Sequence, residues 1–255
     1  MRVDILPPPP PQAWRNQPPR YGETARHFKH IPTRRLVAEL QKRWGDYPDE
    51  AACKVRERGE YSLTTFLVAL HERADRSVFN AAKALVSSKN RRHRMQGFHI
   101  LREMGKPGKR PVFPETWDLL ENCLEEEKDP IVLHWILGCL GWTCSERAYP
   151  TLLKYLRHPN AWVRGKVANN LLACAPDIHD PRALKALLLL CNDKSSAVRW
   201  DALYEVKEYL LSNRPGIHGM LVRRMKDPNP HVRKLAKEAI HQLSRRARRP
   251  EPNAS

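Results

Sequence analysis

The sequence predicts an all-α fold, a solenoid of stacked helix pairs, and three observations carry that reading. One punctuation recurs at five helix starts: Asn90–Arg94, Asp129–Leu133, His158–Arg164, Asp193–Arg199 and Asp227–Arg233 each read as a polar turn opening an apolar helix. With Arg94, Leu133, Arg164, Arg199 and Arg233 as markers, the steps are 39, 31, 35 and 34 residues. That is the period of a solenoid in which each helix pair buries its apolar side only against its neighbours. The register also holds inside the helices. Gly97, Ile136, Val167, Ala202 and Ala236 stand three residues after the markers, and Leu101, Leu140, Leu171, Val206 and Ile240 seven after. Those offsets share one side of an α-helix.

In chain order, residues 1–32 hold eight of the 22 prolines and no apolar periodicity. The run Pro7–Pro11 favours extended polyproline II, so this stretch reads as a largely disordered N-terminal arm. Helices are predicted over Thr33–Trp44, Asp49–Arg58, Ser62–Arg73, Asp75–Val86 and Arg91–Met104. After the Gly105–Pro111 loop they cover 114–127, 130–143, 147–157, 160–173, 181–191, 196–211, 216–226 and 229–247. Asp129-Pro130, His158-Pro159 and Asp227-Pro228 place proline where a helix amide has no partner, with the preceding side chain free to cap. The repeat domain is therefore expected over 33–247, and 248–255 reads as a disordered basic tail.

The pattern Asp-Pro-x-x-x-Val-Arg-x-x-Ala, seen in Val163-Arg164, Val198-Arg199 and Val232-Arg233, resembles the HEAT repeat, particularly its short phycocyanobilin-lyase-like variety. The likeness is densest over 146–245 and extends back to 88. It implies a right-handed α-α superhelix of antiparallel helix pairs. It also implies a ladder in which each arginine meets a neighbouring turn's aspartate; Arg164, Arg199 and Arg233 match, with Asp193 and Asp227. Leu133 breaks the pattern, so its rung is expected to be missing. The motif speaks for fold and scarcely for function, since such solenoids host scaffolds, transport factors, lyases and repair enzymes.

Composition agrees with a folded body: 255 residues, 41% of them hydrophobic, can bury a large core. No stretch approaches the ~20 apolar residues that span a bilayer, and the start lacks an apolar signal segment. Cys53, Cys123, Cys139, Cys144, Cys174 and Cys191 form no Cys-x-x-Cys pair and read as reduced thiols of a cytoplasmic protein. The net charge of +17 is uneven. Residues 1–60 carry +4, 61–110 carry +8, 111–180 carry −4 and 181–255 carry +9. Two basic clusters stand out, Lys89, Arg91, Arg92, His93 and Arg94, and Arg245, Arg246, Arg248 and Arg249. They fit phosphates or an acidic protein surface, or a solvated face and a helix end whose dipole cations complement.

The outward positions of the marked helices supply the candidate site. Trp162, Lys166, Trp200, Tyr204, Lys207, Lys234 and His241 form an aromatic and basic ridge across three repeats. Such a ridge suits an acidic or aromatic peptide, or stacked bases. Trp200 has a second reading, as packing against the next repeat, and Trp135 and Trp142 read as core. Catalytic constellations are sparse: no phosphate loop, nucleophile elbow or His-Glu-x-x-His helix occurs. His71-Glu72 is the one His-Glu dipeptide where the HEAT-like di-iron hydroxylases need four. His27-x-x-His30 lacks partner ligands, so neither metal nor cofactor is expected. Among HEAT-like enzymes, the alkylpurine DNA glycosylases offer a likeness: Trp200-Asp201 has the residue types that hold a damaged nucleotide there, with Lys166, Lys207 and Lys234 on the backbone. The leading expectation is a monomeric, non-enzymatic scaffold or adaptor whose inner face binds protein, with nucleic-acid binding as the alternative.

Overall fold

The computed structural model describes residues 23–44, 63–104, 113–178, 180–209 and 216–247. These residues are helical, without strands, and neighbouring helices pack in sequence order as in an α-solenoid. The chain divides into two compact units, Met1–Lys128 and Asp129–Ser255. The helix expected over Asp49–Arg58 lies outside the described residues, as does the proline run.

In the first unit the helices are α1 (Glu23–His27), α2 (Thr33–Arg43), α3 (Leu63–Arg73), α4 (Arg76–Val86), α5 (Arg91–Glu103) and α6 (Glu115–Glu126). Among the described residues, Glu23–Ile31 is already packed, although the sequence placed it in the arm. Phe28 is fully buried and packs at a tilt on Phe66, 5.6 Å between ring centres, and Arg73 staples the segment down by donating to the Phe28 and Ile31 carbonyls at 2.7 and 2.9 Å. The core is made of Leu36, Leu40, Phe66, Leu70, Phe98 and Ile100. Gly97 lets α5 approach α4 closely, because a Cβ there would stand 2.8 Å from the Ala82 carbonyl oxygen and the Val86 nitrogen.

The second unit has α7 (Pro130–Trp142), a 3-10 turn (Glu146–Ala148), α8 (Tyr149–Lys154), α9 (Ala161–Leu171), α10 (Pro181–Cys191), α11 (Ser196–Glu208), α12 (Ile217–Arg224) and α13 (Pro230–Ala247). Helices α7, α9, α11 and α13 pack in that order as one layer, while α8, α10 and α12 each pack beside their pair-mates. The buried residues Val163, Val167, Leu171, Val198, Ala202, Val206, Val232 and Ala236 are those the repeat offsets placed inward. Two caps differ from expectation. Asp129 caps α7 by accepting from the Ile131 amide, but Pro159 and Pro228 lie in the turns, two residues early. Asn160 and Asn229 do the capping, accepting from the Trp162 and His231 amides at 2.8 and 2.9 Å.

The arginine ladder is present. Arg164 forks onto Asp193 through Nε and Nη2 at 2.6 and 2.8 Å, and Arg199 onto Asp227 at 2.8 and 2.7 Å. Although burial opposes it, these hydrogen bonds hold the Asp193 carboxyl below its ordinary range and take Asp227 down to about 2. In the first unit Arg94 makes the same fork onto Glu127. The rung at Leu133 is absent on both sides, because the residue that would face it, six before Arg164, is His158. His158 still serves its turn: its Nδ1 accepts from the Asn160 amide, as Asp193 and Asp227 accept from Ser195 and Asn229.

Candidate interaction face

The layer α7–α9–α11–α13 carries the candidate residues. A helix in such a stack buries the sides that touch its two neighbours, and the pair-mate covers a third, so one strip remains free. On that strip lie Trp162 (49% exposed), Trp200 (38%) and Tyr204 (39%). Trp200 and Tyr204 are one turn apart and stack at 5.5 Å with their planes 21° apart. Trp200 is thus not closed off by packing against the next repeat. The Trp162 ring meets His134 edge-on at 5.8 Å, and the His134 ring nitrogen lies 3.0 Å from the Trp162 carbonyl.

Trp142, placed in the core by the sequence, is 44% exposed, and Trp135 is half-buried. The apolar content of α7 hid this. Its residues are hydrophobic on every side, so periodicity cannot say which tryptophan faces out. Among the described residues, the large hydrophobic side chains left exposed are thus Trp142, Trp162, Trp200 and Tyr204 on this layer, with Leu189 and Val222 on α10 and α12.

The cations of the ridge are partly offset. Lys207 meets Glu238 of α13 at 3.5 Å. Lys166 stands beside Asp201, whose carboxyl packs over Gly165, where a Cβ would come within 2.6 Å of Oδ2. Lys234 and His241 are exposed. Burial raises Asp201 to about 6 against the pull of Lys166 and the Asn169 amide. Burial also raises Glu205, one turn on and 8% exposed, to about 8, helped by the charges of Asp201 and Glu208. No residue pattern announced this pair, because the equivalent positions hold Leu235 and Ala239 in the next repeat.

The basic clusters fare differently. Lys89, Arg91 and Arg92 are exposed at the start of α5, but Arg94 is a ladder rung committed to Glu127 and leaves the patch. Arg245 and Arg246 fall in the last turn of α13, where the side chains are not described, and Arg248 and Arg249 lie outside the described residues. Among the described residues no three of His, Cys, Asp and Glu gather as metal ligands, and no helix is long and apolar enough to cross a membrane. Cys123, Cys139, Cys144, Cys174 and Cys191 are not joined in disulfides.

No curated protein matches this chain. A family model does: residues 117–207, from α6 through α11, match the family described as HEAT repeats. Over that stretch, which takes in the Arg164 side of the ladder, the chain carries HEAT repeats.

Proposed function

We propose that this protein is a non-enzymatic scaffold or adaptor, which grips a protein partner through the free strip of the α7–α9–α11–α13 layer. One observation carries the reading. The exposed aromatics Trp142, Trp162, Trp200 and Tyr204 sit on three consecutive helices of a single layer. A surface that only had to stay soluble has no use for such a set, whereas aromatic anchors dominate binding hot spots. Lys166, Lys207, Lys234 and His241 border the rings and supply polar contacts to an acidic or aromatic segment.

Replacing Trp200 and Tyr204 together by alanine tests this. Capture of a partner from native lysate, with nuclease-treated lysate in parallel, is expected to fall while the melting temperature stays within a few degrees. A large loss of stability, with capture lost only in proportion to unfolding, would assign both rings to packing and overturn the reading.

The exposed Lys89, Arg91 and Arg92 favour nucleic-acid binding as a second reading, and Trp200-Asp201 keeps the glycosylase-like version of it. That reading expects duplex or single-strand affinity that falls steeply with salt, in proportion to the phosphates neutralised. A gel-shift series without binding at low salt disposes of it.

A further inference from the structure

At each complete rung of the ladder the guanidinium works in two halves. Its Nη1 is clamped by two carbonyls of its own turn, and its Nε and Nη2 fork onto a carboxylate of the following turn. Arg94 is clamped by Ser88 and Lys89 at 3.2 and 3.1 Å, and Arg164 by His158 and Pro159 at 2.7 and 2.8 Å. Arg199 is clamped by Asp193 and Lys194 at 2.9 and 3.1 Å. Arg233 is clamped in the same way, by the Asp227 and Pro228 carbonyls at 2.7 and 2.9 Å. Yet among the described residues no carboxylate meets its Nε–Nη2 edge.

We propose that this open edge of Arg233 is a carboxylate-binding site, and that its ligand is an aspartate or glutamate side chain in an acidic segment of a partner protein. Three filled rungs of this chain show what the fork accepts, and in each it is a carboxylate. The backbone clamp has already fixed the guanidinium, so little side-chain freedom is left to lose when a bidentate pair forms. The surroundings select for negative charge. Lys226, Lys234 and Lys237 are exposed nearby in sequence on the same turn and helix, while the local acids are committed, Asp227 to Arg199 and Arg224 and Glu238 to Lys207. The site shares Lys234 with the border of the aromatic strip but uses none of its rings.

The test uses the full chain and fluorescein-labelled peptides of alternating aspartate and glycine, with an asparagine–glycine twin, followed by anisotropy at low salt. The aspartate peptide is expected to bind and the twin to fail. Arg233→Lys keeps the charge but loses the fork, and should weaken the aspartate peptide by roughly tenfold, the scale of a charge-assisted hydrogen bond. Lys234→Gln removes a whole charge and should weaken it only about twofold, as for a screened surface ion. Equal losses in the two variants would reduce the site to diffuse basicity and overturn the proposal, as would binding of the twin. Tighter binding of labelled oligothymidine, lost in Arg233→Lys, would assign the edge to phosphate and also overturn it. Should Arg233→Lys unfold, the Arg233 Nε–H resonance of the unaltered protein decides: it must shift on adding the aspartate peptide, and an unmoved resonance rejects the site.

Discussion

At the level of single residues, the Leu133 and Arg164 positions show how an internal rung of the ladder is kept or discarded as a unit. A buried arginine without its carboxylate, or the reverse, leaves an uncompensated charge, which costs about 3–5 kcal/mol. The chain avoids that at Leu133 by placing His158, not an aspartate, opposite it. Arg164→Leu alone should therefore destabilise the fold strongly, by about 3 kcal/mol, because Asp193 stays behind without its fork. Arg164→Leu with Asp193→His, which copies the Leu133–His158 rung, should recover at least half of that in urea titration. Equal losses for the single and double variants would show that the turn, not the charge, carries the stability. Glu205 gives a second residue-level expectation, with the opposite sign from Asp227. Its folded pKa, about 8, lies above its ordinary 4.5, so the fold keeps a proton that the unfolded chain gives up. Stability is then fully present below about 4.5 and falls as pH rises toward 8, by up to ~1.4 kcal/mol per pH unit. Glu205→Gln should flatten that fall and raise the melting temperature at pH 8 more than at pH 5; an unchanged profile would sink the argument. The arginines were legible because their spacing repeats. Glu205 was not, because its equivalents are Cys139, Asn170 and Ala239, and burial there depends on what the neighbouring helix presents.

Among the elements, helix boundaries were the most readable feature. The stretch expected over 181–191 is observed as Pro181–Cys191, and 130–143 as Pro130–Trp142. Proline at the first helical position and an aspartate cap mark both starts. The same logic failed at Pro159 and Pro228, since the ladder needs the preceding His158 or Asp227 in the turn and hands the cap to the asparagine two residues on. Close helix–helix approach was legible only as a small residue at a core offset. Gly97 is such a case, and beside the Val86 side chain its near neighbours are two backbone atoms of α4, which have no rotamer to yield. Gly97→Ala should thus cost about 1–3 kcal/mol through forced separation of α4 and α5. Gly165→Ala should cost less, since the nearest atom is the Asp201 carboxylate oxygen, which can swing away. Thermal unfolding of the two variants separates them, and a Gly165→Ala loss as large as that of Gly97→Ala would contradict the packing account.

For the molecule as a whole, the decisive property is that each pair leans on its neighbours in sequence. In the second unit α9 packs on α7, α8, α10 and α11, and α11 on α9, α10 and α13. Helix α13, by contrast, has packed partners on one side of the layer only, α11 and α12, and among the described residues its arginine has no rung beyond it. Stability in such a stack is close to a sum of local and nearest-neighbour terms, so opening should start where one neighbour is missing. Native-state hydrogen exchange is therefore expected to show amides of α9 and α11 protected longest, with α12 and α13 exchanging earlier and together, by a route less sensitive to denaturant. Saturating the aspartate–glycine peptide on Arg233 should slow the α12–α13 exchange, because a ligand held only by the closed form stabilises it in proportion to its occupancy. A single exchange rate across α7 to α13, unaffected by the peptide, would mean that the unit opens only as one block, and the neighbour-by-neighbour account of its stability would have to be abandoned.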